Sequence, residues 1–228
     1  MLTALVIIVL LLIVFMPQFW VKHVIKKYSQ EIEELPGTGG ELAKHLITRF
    51  KMEGISVEET ENGNDHYDPQ AKMIRLSEDN FNGKSLSAIT IATHEFGHAL
   101  QDHTHYQPLI MRTKLAVISA TAEKIASFIL ISMPFAMILA KIPLVGVIML
   151  LAGITIMGLP IILHLFTLPV EFDASFNRAL PILIEGKYLP EPALPIARRI
   201  LRAAALTYVS ASLASLLNFY RWFAILRR

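Results

Sequence analysis

A mainly helical fold inserted in a membrane, with a small α+β portion outside it, is what this sequence predicts. Three observations predict it. Of 228 residues, 54% are hydrophobic, more than an ordinary soluble domain carries, and they fall in long blocks. Two short strand-like runs, 55–57 and 72–77, stand close together in the charged region between blocks. Residues 94–98 then read His94-Glu95-Phe96-Gly97-His98 within an apolar helical stretch.

Met1 to Val21 carries no charged side chain. It lacks the basic start and small-residue cleavage site of a secretory signal, and Pro17, Phe19 and Trp20 suit an interfacial end, so residues 1–21 read as a retained transmembrane anchor. Residues 22–114 form the next unit. Lys22 to Glu34 is a charged helical connector and 36–40 is a loop. Glu41 to Lys51 has helical spacing, with Leu42, Leu46 and Phe50 on one face and Gly54 beyond its end. After the strand at 55–57, residues 58–65 read as an acidic turn, and the strand at 72–77 leads toward the His94 helix. An exposed edge on that second strand would accept an extended peptide through backbone hydrogen bonds; the alternative is a plain hairpin supporting the helix.

Residues 115–170 read as a transmembrane hairpin. Ile125 to Ala140 is one leg, Lys141-Ile142-Pro143 the turn, and Ile142 to Val170 a leg long enough to span with tilt. Glu123 and Lys124 sit at the entrance to the first leg. Residues 171–202 form a helix and basic connector. Residues 203–228 hold a fourth apolar stretch, 203–219, that spans or lies at the interface.

The net charge of +2 decides little, but its distribution does more. Most Lys and Arg fall in 22–114 and 178–202, which puts both regions on the cytoplasmic side by the positive-inside tendency. The absence of cysteine excludes disulfides, thiolate ligands and a cysteine nucleophile. No Gly-rich phosphate loop and no basic-aromatic nucleic-acid surface is present.

On a helix, positions i and i+4 share a face, so His94 and His98 grip one metal ion, and Glu95 reaches a water on it as general base. A hydrolytic zinc site needs a third protein ligand. The branch with a third histidine fails, because Gln101 and Thr104 occupy its Gly and His positions. His103 and His105 read as solvated loop histidines beyond the helix end, at about Pro108. In the other branch a Glu on a later helix completes the set, and Glu171 is the candidate, in the first turn of a helix opened by Pro169. Asp173, on another face, and His164 are the alternatives. Gly97 suits the close approach of the metal or of a neighbouring helix.

The runs DHYDPQAKMIRLSEDNF, HEFGHALQ and TLPVEFDASFNRAL, in that order, resemble the YugP-like membrane zinc metallopeptidases, the type 2 neutral zinc metallopeptidase family. That family is similar in plan to the larger Ste24/HtpX-type membrane gluzincins. The resemblance covers nearly the whole chain. It implies an integral-membrane helical protein with an α+β gluzincin-like catalytic portion, Zn2+ on His94, His98 and Glu171, and Glu95 as base. The larger group carries an Asp four residues after its third ligand, supporting a ligand histidine; here Ser175 stands there. The implied activity is a metalloendopeptidase acting on peptide or membrane-protein substrates at a lipid bilayer, with the site facing the cytoplasm. A catalytically silent metal-binding scaffold or chaperone is the alternative. His66, Tyr67 and Arg178 are candidates for holding the developing oxyanion. Their other readings are a turn residue, a packed aromatic and a structural cation.

Overall fold

The computed structural model describes residues 16–60 and 64–206. The apolar stretch before residue 16 and most of the fourth segment, from residue 207, lie outside the described residues.

Helix α1 covers 16–27, and the chain then turns, so the predicted connector is helical only to residue 27. Val21 and Val24 face the core while Lys22, His23, Lys26 and Lys27 stay exposed. Helix α2 (Gly39–Arg49) begins two residues before the predicted start. Thr38 caps it: its side chain accepts from the Glu41 N–H, and the Glu41 carboxylate accepts from the Thr38 N–H. Leu42 and Leu46 are buried as the helical spacing requires. Gly54 takes φ of +81°, a left-handed turn that leads into the sheet.

Three strands follow, β1 (Ser56–Glu59), β2 (His66–Asp68) and β3 (Met73–Leu76), in the spatial order β1-β3-β2. β1 is parallel and β2 antiparallel to β3. The sequence leaves the strand over 72–77 as either an exposed edge or part of a plain hairpin supporting the helix. It is central instead, with Ile74 and Leu76 fully buried, and the edge nearest the site is β2. Residues 58 and 59 continue β1 rather than forming a turn. Arg75 explains part of this: it bonds Glu58 and Asp68, both at 2.6 Å, tying both outer strands to the middle one.

After the short helix α3 (Glu78–Phe81), helix α4 (Leu86–His103) runs through the centre of the fold. Ser85 caps it by accepting from the Ala88 N–H. Ala92, Phe96 and Ala99 are fully buried and belong to the core that α2 and the sheet share. Helix α5 (Gln107–Ala140) is 34 residues long, far longer than the predicted leg, because a turn at 104–106 and Pro108 restart the helix early. Lys141, at φ 53°, makes the expected turn. The second leg is divided: α6 (Pro143–Met157) and α7 (Leu159–Phe172) meet at Gly158. Pro160, in the first turn of α7, has no N–H to continue the preceding ladder. Both α6 and α7 pack along α5.

Pro169 does not open a helix. It lies inside α7, and the chain passes into a π-helical segment, Asp173–Ala179, before α8 (Leu180–Glu185). Glu171 therefore sits in the last turn of a helix rather than the first. A short 3-10 turn (Glu191–Ala193) leads to α9, helical over 194–206, whose Ala197, Ile200 and Leu201 are buried.

Candidate metal centre

His94 and His98 project from one face of α4, their rings 4.8 Å apart. The last turn of α7 brings Glu171 to them. Its Oε2 lies 3.4 Å from His94 Nε2 and 3.3 Å from His98 Nε2. Among the described residues these three form a group of metal-ligand atoms, all within 4.8 Å of one another. Ligands about 2.1 Å from a tetrahedral ion stand about 3.4 Å apart, so the two His–Glu distances suit one zinc. The alternatives are placed elsewhere. Asp173 accepts from Gln101, Asn177 and Arg178, His164 is outside the group, and His103, the last residue of α4, and His105, just beyond it, are exposed.

Gly97 permits the approach of the π segment to α4. A Cβ there would stand 2.7 Å from the Ala174 carbonyl oxygen, inside contact distance. The expected close neighbour is thus a helix backbone.

Hydrogen bonds fix both imidazoles. The Ser175 hydroxyl donates to the Leu201 carbonyl (3.4 Å), so it accepts from His94 Nδ1–H (3.1 Å). Ser175 therefore supports the ligand itself, from the position where the larger group has Asp. Gln101, fully buried, spends its amide N–H groups on the Val170 carbonyl and Asp173 Oδ2, both at 2.8 Å. Its carbonyl is left to accept from His98 Nδ1–H at 3.0 Å. With both Nδ1 atoms donating, both Nε2 atoms are left to face the Glu171 carboxylate, and each offers a lone pair once its proton gives way to a metal. Three electron-rich atoms facing one another underground require a cation between them, and this donor set fits a divalent metal.

Without a metal, protons take its place between these atoms. Burial alone would raise the Glu171 pKa, but the charge of His98 and the hydrogen bonds from both histidines hold it well below the usual carboxylate range. Burial alone would lower the His98 pKa, yet the charge and hydrogen bond of Glu171, with Glu95 and Gln101, push it up to about 9.

Gln101 was visible in the sequence only as a failed histidine-branch position. It joins His98 to the residue beside Glu171, so it sets the spacing of two ligands. Gln101→Ala is expected to lower zinc affinity by about 10–100-fold. Competition with a chromophoric zinc chelator measures this, and an unchanged affinity would remove Gln101 from the site.

A cavity of about 340 Å³ opens over the three ligands. Glu95 lines it, as do His66, Tyr67 and Arg112. Glu95 is 7% exposed, and burial raises its pKa above the ordinary glutamate value, opposed in part by His94 and His98. Tyr67 presents its ring, but its hydroxyl donates to Asp102 at 2.6 Å; burial, then that bond, raises its pKa. Arg178 lies outside this cavity, bonded to Asp173 (2.7 Å) and Thr104 (3.2 Å) and stacked near Tyr106. The structure thus gathers His94, Glu95, His98, Glu171, His66 and Tyr67, and leaves Arg178 behind the ligands. Arg112, from α5, had no sequence signal, because nothing local ties a residue 14 positions past His98 to its cavity.

Comparison with known proteins follows the same line. The model of a family described as "Putative neutral zinc metallopeptidase" matches residues 3–227. A Bacillus subtilis (strain 168) protein described as "Putative membrane protease YugP" is 35% identical over 212 residues, covering 92% of this chain and 90% of that protein. No solved structure matches the chain.

Proposed function

Because the chain belongs to the neutral zinc metallopeptidase family just described, we propose that it is an integral-membrane zinc endopeptidase whose general base is Glu95. The observation that carries this reading is the His94–His98–Glu171 cluster at the floor of a cavity that Glu95 also lines. Zinc bound there supplies Lewis-acid chemistry, acidifying a water to a pKa of roughly 7 and polarising a peptide carbonyl. His94 and His98 offer Nε2, and Glu171 contributes one negative charge. Glu95 accepts the proton of the attacking water and returns it to the leaving nitrogen. Its burial makes it a stronger base than a surface glutamate. The unpaired edge of β2 borders the cavity through His66 and Tyr67, and an extended substrate adds to it there.

Membrane insertion is part of the reading. Residues Gln107–Leu139 are long and apolar enough to cross a bilayer, and only 6% of the most apolar window is buried in the protein. Phe128 and Phe135 are each 73% exposed and Leu139 88%, surfaces that water does not favour and lipid does. We read α5 with α6–α7 as the hairpin, residues 1–21 as an anchor, and the fourth segment, 203–219, as spanning or interfacial. The 22–114 portion and the third-ligand region share the cytoplasmic side, since the hairpin returns the chain to the side it left.

The test uses detergent-purified protein and an unfolded polypeptide substrate. Cleavage should vanish with a zinc chelator and return with added zinc, at about one zinc per chain. A folded, zinc-loaded protein that cleaves neither unfolded polypeptides nor membrane-protein substrates would favour the silent scaffold instead.

A further inference from the structure

Hydrolysis through a tetrahedral intermediate builds negative charge on the substrate carbonyl oxygen, and a donor aimed at that oxygen is worth much of the rate. The described residues around the cavity narrow the choice. Apart from the two ligand histidines, its walls are acids, apolar side chains, and three residues with side-chain donors: His66, Tyr67 and Arg112.

Tyr67 gives its one proton to Asp102 at 2.6 Å, and that carboxylate also pairs with Lys72. Moving the hydroxyl to a substrate would cost a part-buried carboxylate its short bond. The His66 ring sits with Nδ1 2.9 Å from the Asn64 carbonyl. A carbonyl only accepts, so Nδ1 spends its N–H there, and the ring has at most one further nitrogen to turn elsewhere. Arg112 differs on both counts. Its guanidinium has five N–H donors and no acceptor, so it can hold a neighbour and still donate to a substrate oxygen. It lies one turn beyond Leu109 on α5, and Leu109, 5% exposed, lines the same cavity. The packing of that turn fixes the helix face that carries the guanidinium.

We propose that Arg112 is a catalytic residue, donating hydrogen bonds to the substrate carbonyl oxygen as charge develops there. No bond to Arg112 forms or breaks, and no proton leaves it. The inference rests on the endopeptidase reading above. It also joins that chemistry to the hairpin, because the helix that supplies the donor is the one that continues as the candidate span.

The experiment compares wild type with Arg112→Ala, Arg112→Lys and His66→Ala, as full chains in detergent. It reads zinc content, kcat and KM on an unfolded polypeptide, and affinity for a phosphinic peptide that mimics the tetrahedral intermediate. Arg112→Ala should keep its zinc, lose about 100–1,000-fold in kcat, and bind the phosphinic peptide more weakly in parallel. Arg112→Lys, which keeps the stem and charge, should recover part of both. An unchanged kcat and phosphinic affinity overturns the proposal. So does a loss confined to KM, which marks a binding contact, or a loss that appears in His66→Ala instead. If zinc-loaded wild type cleaves nothing, the endopeptidase reading fails, and the phosphinic affinity still decides whether Arg112 faces a tetrahedral anion.

Discussion

Glu95→Gln is expected to abolish cleavage while leaving zinc content and fold in place. The amide matches the carboxylate in volume, so the packing of α4 is unchanged. Glu95 is not among the three ligand atoms that cluster, so the metal keeps its donors. What disappears is the only proton acceptor in the proposed cycle, and losing a positioned general base costs about 100–10,000-fold in rate. Thermal stability of the metal-free protein should hold or rise, because a carboxylate that is 7% exposed carries a desolvation cost that the amide lacks. The pH profile supplies a second reading. Only the carboxylate form accepts a proton, so kcat/KM falls as pH drops through the Glu95 pKa. In the metal-free protein burial moves that pKa above 4.5 against the pull of His94 and His98, and bound zinc adds a further pull downward. Residual activity in Glu95→Gln should lack that limb. Cleavage at the wild-type rate would remove Glu95 from the mechanism.

The parts of the site that the sequence exposes are those set by local geometry. His94, Glu95 and His98 are legible because one turn of helix brings i and i+4 together whatever surrounds it. The apolar run before them likewise marks a buried helix, and Gly97 marks a close approach. Glu171 was already the leading candidate on a later stretch of chain, and the fold separates it from Asp173 and His164, which stand nearby. Pro169 misleads for a physical reason. Read locally it favours a helix start, but α7 already arrives as a helix that packs on α5 and carries Pro169 inside it. The supports of the ligands were marked only as departures, Ser175 where the larger group has Asp and Gln101 where a third-histidine motif has Gly. Ser175 meets His94 across 81 positions, and Gln101 meets Val170 across 69, and no periodicity encodes such pairings. β2 is too short to alternate legibly, so the edge of the sheet was assigned to its neighbour.

The centre itself is tested most severely at Glu171. Glu171→Ala should reduce zinc affinity by more than the 10–100-fold typical of a lost supporting partner, because it removes a ligand and its charge together. The contrast with Asp173→Asn decides between the two acids. Asp173 accepts from Gln101, Asn177 and Arg178, and an amide oxygen still accepts from Gln101, so zinc content there should stay near wild type. Stability separates a ligand from a merely structural acid. In the metal-free protein Glu171 faces two imidazoles, its pKa held low, burial notwithstanding, by the His98 charge and the histidine hydrogen bonds. A depressed pKa contributes stability that is present above the unfolded glutamate value and lost as pH falls through the folded one. Metal-free wild type should therefore lose stability below the ordinary glutamate range, and Glu171→Ala should lose less over the same interval. Elemental analysis of the purified variants, with unfolding followed against pH, reads both. Equal zinc in wild type and Glu171→Ala would reject the ligand set, whereas zinc lost only in Glu171→Ala would establish that two distant helices are joined through one ion.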